Sequence, residues 1–266
     1  MDASGYSGHI FCQQRKSLCG QRGERRDGEN PGQFCYGSRR RAVEVNAKGG
    51  ISVKIKWLGH ASVLITAADG TKIITDPYGD YPGLSYAPIG ETADIIVVSH
   101  DHGDHSGGRV KGNPKQVAGA GSRKIGTIEF KGINTYHDTS KGSQRGKNTI
   151  FCFAVDGVRI CHLGDLGHQL SKAEVAEIGQ VDVLMVPVGG FYTIDAAAAG
   201  AVCEQIKPGV VIPMHYKNDK CSFSIAGVED FIKGKRNVKR ADSSEIELKA
   251  GQLPQATEIV VLRHAL

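Results

Sequence analysis

The sequence predicts an α/β fold in which two β-sheets stack face to face and helices cover their outer faces. Two observations carry this. From residue 51 to 162, short apolar or alternating runs follow one another with tight turns between them, the pattern of paired strands. From 171 to 233, strand-like and helix-like segments alternate. The 35 glycines among 266 residues fit a chain with many turns.

The elements follow in order. Residues 51–57 alternate apolar and polar side chains, as a half-buried strand does. Strands at 62–66 and 72–75 flank Asp69-Gly70, a hairpin turn signal. Residues 93–99 (ADIIVVS) are nearly all apolar, which suits a strand buried on both faces. Strands are expected at 127–136, 149–155 and 158–162, the last two joined by Asp156-Gly157. Ser171 and Glu174 have capping-box spacing and open a helix to about 178. A buried strand at 182–187 precedes an Ala-rich helix capped by Asp195 and stopped near Pro208-Gly209. A strand at 210–214, a helix at 228–233 and strands at 237–241, 245–249 and 257–263 complete the series.

Composition narrows the function classes. Apolar residues make up 40% and charged residues 23%, enough for a globular core. No apolar run approaches the roughly 20 residues that cross a bilayer, and no apolar core of a secretory signal is present, so no membrane partner is expected. The net charge of +5 is unevenly placed. Residues 1–50 hold nine basic and five acidic side chains, leaving 24 and 23 for the rest. The core is near neutral, which argues against a nucleic-acid partner. Residues 1–50 lack periodicity and read as a disordered basic extension, with the folded domain at 51–266. Seven cysteines without a CxxC spacing give neither a disulfide framework nor a Cys₄ site, and a cytoplasmic setting fits. Cys152, Cys161 and Cys203 read as small core residues.

The strongest chemical signal is Ser99-His100-Asp101-His102-Gly103-Asp104-His105, directly after the apolar strand. Imidazoles and carboxylates are the donors that Zn²⁺ and similar ions take. In an extended segment residues two apart share a side, so His100 and His102 can converge on one ion. After a turn at Gly103, Asp104 and His105 can face a second.

This HxHxDH pattern resembles the signature of the metallo-β-lactamase superfamily. The resemblance continues through Trp57-Leu58-Gly59-His60-Ala61, Thr75-Asp76-Pro77, Thr135-Tyr136-His137-Asp138, His162-Leu163-Gly164-Asp165, Pro187-Val188-Gly189-Gly190 and Pro213-Met214-His215-Tyr216. It covers about residues 51–250. The order is similar to that of small stand-alone metal-dependent hydrolases, including ascorbate-6-phosphate lactonase-like proteins. It implies an αββα sandwich of two mixed sheets and a binuclear site. By that resemblance His100, His102 and His137 hold one ion, Asp104, His105 and His215 the other, and Asp165 bridges them. The two divalent ions would be Zn²⁺, with Mn²⁺ or Fe²⁺ acceptable to the same donors.

Several residues are candidates around this set. His60 and Asp76 belong to the pattern and can orient ligand imidazoles or satisfy local backbone groups. Lys141, Arg145 and Lys147, in the polar loop after His137, and Lys217 and Lys220, after His215, can attract an anionic substrate or form a solvated charged surface. Tyr192, behind Gly189-Gly190, can reach an oxyanion or pack as a core aromatic. His162 reads as a core histidine and His168 as a residue of the site's rim.

The expected activity is metal-dependent hydrolysis: a hydroxide shared by two ions attacks an ester, lactone or phosphodiester of a small anionic substrate. Asp104 and Asp165 carry the catalytic roles. No GxSxG elbow, P-loop or clear dinucleotide fingerprint supports another enzyme class. The alternatives are a metal-dependent nuclease of the same superfamily and a non-catalytic metal-binding or sensing module. The resemblance also allows a homo-oligomer.

Overall fold

The computed structural model describes residues 51–266. The basic extension expected at 1–50 lies outside the described residues. The chain opens with β1 (Ser52–Gly59), β2 (Ser62–Thr66), β3 (Lys72–Thr75) and β4 (Thr92–Val98). A four-residue helix α1 (Gly103–Ser106) precedes β5 (Lys111–Ala118). Next come β6 (Gly121–Ile125), β7 (Ile128–Tyr136), β8 (Lys147–Val155) and β9 (Val158–His162). The later part alternates: α2 (Lys172–Ile178), β10 (Val183–Pro187), α3 (Ala196–Ile206), β11 (Val210–Met214) and α4 (Val228–Ile232). It closes with β12 (Val238–Arg240), β13 (Glu245–Lys249) and β14 (Glu258–Val261).

The strands form two mixed sheets, as expected. The six-stranded sheet runs β13-β1-β2-β3-β4-β5, with parallel pairing from β3 to β5. The eight-stranded sheet runs β12-β14-β11-β10-β9-β8-β7-β6, parallel from β12 to β9 and antiparallel from there to β6. One apolar core fills the space between them. Val53, Ile55 and Trp57 of β1 and Val63 and Ile65 of β2 meet Phe130, Ile150 and Phe151 of the larger sheet. Side chains of this size, fully buried, each contribute roughly 1.5–3 kcal/mol. Alternation then sends Leu64 and Ile74 to the opposite face of the six-stranded sheet, where Tyr78, Tyr86 and Ile225 from irregular segments cover them. Helices α2 and α3 lie against strands of the eight-stranded sheet.

Local signals act as their chemistry requires. The Ser171 hydroxyl accepts from the Glu174 amide, and the Glu174 carboxylate accepts from the Ser171 amide. Asp195 caps α3 by accepting from the Ala198 amide, while Lys207 in left-handed conformation ends it. Two strands, β5 and β6, escape the sequence reading. Each is an edge strand, mostly exposed, and so lacks an apolar face to register as periodicity. Pro114 and the lysines of β5 are the residues that protect a sheet edge from further pairing. Cys161 is buried and Cys152 and Cys203 half-buried. Among the described residues no helix is long and apolar enough to cross a membrane.

Candidate metal centre

Every residue of the HxHxDH segment and its suggested partners lies at the same edge of the sandwich, beyond the C-terminal ends of strands. His60 follows β1, Asp76 follows β3, His100 follows β4, His137 follows β7 and His215 follows β11. Asp165 comes three residues after β9, past Gly164 at φ +54°. His60, Asp76 and His215 are themselves left-handed, at φ +50°, +36° and +50°. For residues with a Cβ this costs about 1–2 kcal/mol each, and such strain is found where a strand end must turn a side chain into a site. The turn at His60 is fixed from behind: the Trp57 indole N–H donates to the His60 carbonyl at 3.0 Å, and the His215 amide donates to it at 3.1 Å.

The side chains converge closely. His100, His102 and His137 each offer a donor atom within 4.8 Å of the others; so do His60, Asp104, His105 and His215; and so do His100, His105 and Asp165. Asp165 therefore stands between the two groups. Its Oδ2 lies 3.0 Å from His137 Nε2, 3.2 Å from His105 Nε2, 3.3 Å from His215 Nε2 and 3.9 Å from His100 Nε2. One carboxylate oxygen cannot satisfy four imidazole nitrogens. Asp165 Oδ1 and His105 Nε2 are buried without a hydrogen-bond partner. Buried polar atoms gathered in this way are costly unless something of opposite charge sits among them. The donor set fits divalent cations of the zinc type.

The protonation states point the same way. Burial pushes His60 down to about 4 and His100 to about 3, leaving each imidazole neutral near pH 7 with a lone pair to offer. Burial also works against charge on Asp165, but the surrounding His105 and His215 outweigh it and hold the carboxylate ionised. Burial pulls His105 and His137 down, and Asp165 in turn raises them above the usual histidine range. A metal ion takes the place of such protons when it binds.

Asp76 organises one candidate ligand, His105, from behind. Its Oδ1 accepts from the Ser99 amide at 2.7 Å. Its Oδ2 accepts from the Ser99 hydroxyl at 2.8 Å and faces His105 Nδ1 at 3.0 Å and His162 Nε2 at 2.7 Å. With His105 Nδ1 donating to a carboxylate, the ring's other nitrogen is free to face Asp165. His60 Nε2 lies 3.2 Å from Asp104 Oδ2, so it orients that carboxylate in the same manner.

The family model described as "Beta-lactamase superfamily domain" matches residues 54–215, a span that contains every member of this cluster. The chain belongs to the metallo-β-lactamase superfamily. Within it, the chain is 30% identical over 233 residues to a UPF0173 metal-dependent hydrolase of Archaeoglobus fulgidus, covering 75% of this chain and 97% of the relative. A second UPF0173 metal-dependent hydrolase, from Carboxydothermus hydrogenoformans, is 32% identical over 62% of this chain and 84% of its own length. A crystal structure from Thermotoga maritima, of a candidate Zn-dependent hydrolase of the superfamily, superposes with a TM-score of 0.66 at 38% identity, covering 79% of this chain and 98% of that one. The protein is thus a metal-dependent hydrolase of the metallo-β-lactamase superfamily.

A cavity of about 550 Å³ opens over the superfamily cluster and is lined by Asp104, Asp165, His102, His137 and His215. Of the side chains expected to meet substrate, Arg145 and Tyr192 line it together with Tyr81, Gln144 and Phe223. Lys141, Lys147, Lys217 and Lys220 do not, and Lys141, Lys147 and Lys217 are exposed. The Arg145 guanidinium sits 5.7 Å from the ring centres of both Phe191 and Tyr192. His162 is buried, as a core histidine should be. It also shares Asp76 with His105, a link that strand alternation alone does not show. His168 accepts from the Tyr136 amide at 3.2 Å, bracing the backbone ahead of His137.

Three positioning residues of this superfamily site escaped the sequence reading. Asn148 donates to the Thr135 hydroxyl and the Leu163 carbonyl, while its Oδ1 accepts from the Asp165 amide at 3.0 Å. Asp138 accepts from four backbone amides, of Ser140, Gly142, Gln144 and Arg145, and so ties down the loop that carries Arg145. Ser99 fixes Asp76. In sequence Ser99 opens the histidine-rich segment and Asp138 stands beside His137, but neither pattern reveals a positioning role, and Asn148 carries no local signal.

Proposed function

We propose that the protein is a binuclear hydrolase whose substrate is a small anionic ester, lactone or phosphodiester. The observation that carries this reading is the crowding of four imidazole nitrogens around Asp165 Oδ2. His100, His102 and His137 would hold one ion, Asp104, His105 and His215 the second, and Asp165 both. When bound, such a pair supplies a water acidified toward neutral pH and electrophilic stabilisation of a developing oxyanion.

The chain's own side chains do the rest. Asp104 Oδ2 is held by His60, and Oδ1 makes no hydrogen bond among the described residues, which leaves it to orient the attacking water. Among the described residues Arg145 is the one Lys or Arg on the cavity lining. Held against two aromatic rings, it is placed to pair with a carboxylate or phosphate of the substrate. Tyr81, Tyr192 and Phe223 give the cavity an aromatic wall that limits water and accepts an apolar group. The lactone in the substrate class rests on the sequence resemblance, and the anionic group on Arg145. A reducing cytoplasm fits the thiols.

Elemental analysis of the full chain beside an Asp165→Asn variant tests the reading. About two ions per chain in the wild type, falling in the variant, is expected for a shared carboxylate. One ion or none after Zn²⁺ or Mn²⁺ loading would remove the binuclear assignment.

A further inference from the structure

Strands β8 and β9 form a hairpin closed by the turn Asp156-Gly157, with Val155 opposite Val158. A two-residue turn makes the closing pair a hydrogen-bonded one, and the pair types then alternate away from it. By that count Cys152 opposite Cys161 is a non-hydrogen-bonded pair, the type whose side chains stand closer. The bonding on the far side of β9 agrees. The Arg159 amide donates to the Asp182 carboxylate, the Arg159 carbonyl accepts from the Asp182 amide, and the Leu163 amide donates to the Met185 carbonyl. Backbone groups at 159, 161 and 163 therefore point to the β10 side and away from β8. Cα atoms of a non-hydrogen-bonded pair lie about 4.5 Å apart, inside the span of roughly 4.4–6.8 Å that a disulfide bridges. Both thiols are free and their sulfurs are 3.7 Å apart, so small side-chain rotations bring them to bonding distance without moving a strand.

The two thiols are not equivalent. Cys161 is fully buried and Cys152 half-buried. The next pair on the same face, Ala154 and Arg159, is exposed, so Cys152 stands at the border where that face of the hairpin meets solvent. Lys131 of β7 is its register partner on the other flank. A hydrogen bond from the Cys161 thiol, helped more weakly by the Lys131 ammonium, holds the Cys152 pKa below the ordinary thiol value against the effect of burial. The same bond and burial push Cys161 well up. Cys152 is thus the more accessible thiol and the one that ionises first, while Cys161 waits beside it with its proton. The pair faces away from the metal cluster: His162, adjacent to Cys161, turns to Asp76, and alternation sends Cys161 to the opposite side of the strand.

We propose that Cys152 and Cys161 are a reversible oxidation site for hydrogen peroxide, closing to a cross-strand disulfide. The Cys152 thiolate attacks one peroxide oxygen, the O–O bond breaks and hydroxide leaves, so that Cys152 becomes a sulfenic acid. The Cys161 sulfur then attacks the Cys152 sulfur, the S–O bond breaks, and the hydroxyl departs as water with the Cys161 proton. One peroxide takes up two electrons, the two cysteines give up two, and an external dithiol restores them by exchange. The half-buried position of Cys152 favours a reagent as small as peroxide over a bulky disulfide. Once formed, the bond ties the strand that carries Asn148 to the one that leads into Asp165. The site is independent of the hydrolase reading.

The test is peroxide treatment of the folded full chain, then blocking of free thiols, trypsin digestion and mass spectrometry without reductant. Cleavage at Arg159 separates the two cysteines, so the disulfide joins peptides 148–159 and 160–172. This joined pair, lighter by two hydrogens than the sum of its parts, should form in the folded protein and vanish on reduction. In Cys161→Ser the reaction should stop at the Cys152 sulfenic acid, which dimedone captures. In Cys152→Ser, Cys161 should react about tenfold or more slowly than Cys152 does in Cys161→Ser. Circular dichroism shows that each serine variant is folded. No joined pair in the folded wild-type protein, or one that forms only in urea, would overturn the proposal. So would equal rates of capture at the two cysteines, since the exposed thiol would then have no lead over the buried one.

Discussion

Replacing Asp76 by Asn keeps the shape of the side chain and removes its charge. Burial alone would raise the Asp76 pKa, but His162 and His105 overcome this and keep it far below the carboxylate range, so the wild-type group is ionised throughout the working pH range. The carboxylate accepts on both oxygens: Oδ1 from the Ser99 amide, Oδ2 from the Ser99 hydroxyl and, facing them, His105 Nδ1 and His162 Nε2. An amide offers only one oxygen. If it sits on the Ser99 amide side, its NH₂ confronts the two imidazole N–H groups; if it sits on the other, the Ser99 amide loses its acceptor. Each buried donor so stranded costs about 1–3 kcal/mol, and loss of the buried charge from its partners puts the total near 3–5 kcal/mol. His105 can escape by accepting from the new NH₂ at Nδ1, but its proton then moves to Nε2, the nitrogen that faces Asp165. Metal affinity should therefore fall about 10–100-fold, the usual effect of removing a partner behind a ligand histidine. Urea unfolding gives the first quantity and competition with a chelating dye the second. A folded Asp76→Asn protein that binds metal within about twofold of wild type would refute the claim that Asp76 sets the His105 tautomer.

Three other outcomes follow from single sites. Arg145→Ala should raise KM for anionic esters about tenfold while leaving a neutral ester of the same shape unaffected; equal effects on both would remove Arg145 from anion recognition. Asp138 is held down to about 2 by its four backbone amides, against the opposing effect of burial, while its ordinary value is 3.8. Its contribution to the loop is thus complete above about pH 4 and lost as pH falls through about 2. Amide-exchange protection at Ser140, Gly142, Gln144 and Arg145 should drop across that window, and the same loss should appear at neutral pH in Asp138→Asn. Ser171→Ala removes the capping box of α2 and should lower stability by about 1 kcal/mol in denaturant unfolding, with metal content unchanged; a change in metal content would show that the helix bears on the site.

Much of this protein is written locally. The alternation in β1, the apolar run of β4, the Asp156-Gly157 hairpin and the caps at Ser171 and Asp195 are short-range patterns, and each formed where neighbouring residues require it. The HxHxDH segment is equally local, and its donor chemistry names a cation before any fold is known. Edge strands β5 and β6 were hidden because exposed strands need no apolar face.

What the tertiary structure alone decided is which distant residues meet. His60 reaches Asp104 across 44 positions and His162 reaches Asp76 across 86. It placed Arg145, and not Lys141 or Lys217, on the cavity lining, on a loop that Asp138 ties down. Secondary structure depends on periodicity within a few residues. A site depends on the sheet order and register that bring separate strand ends to one edge, and no local pattern encodes that order.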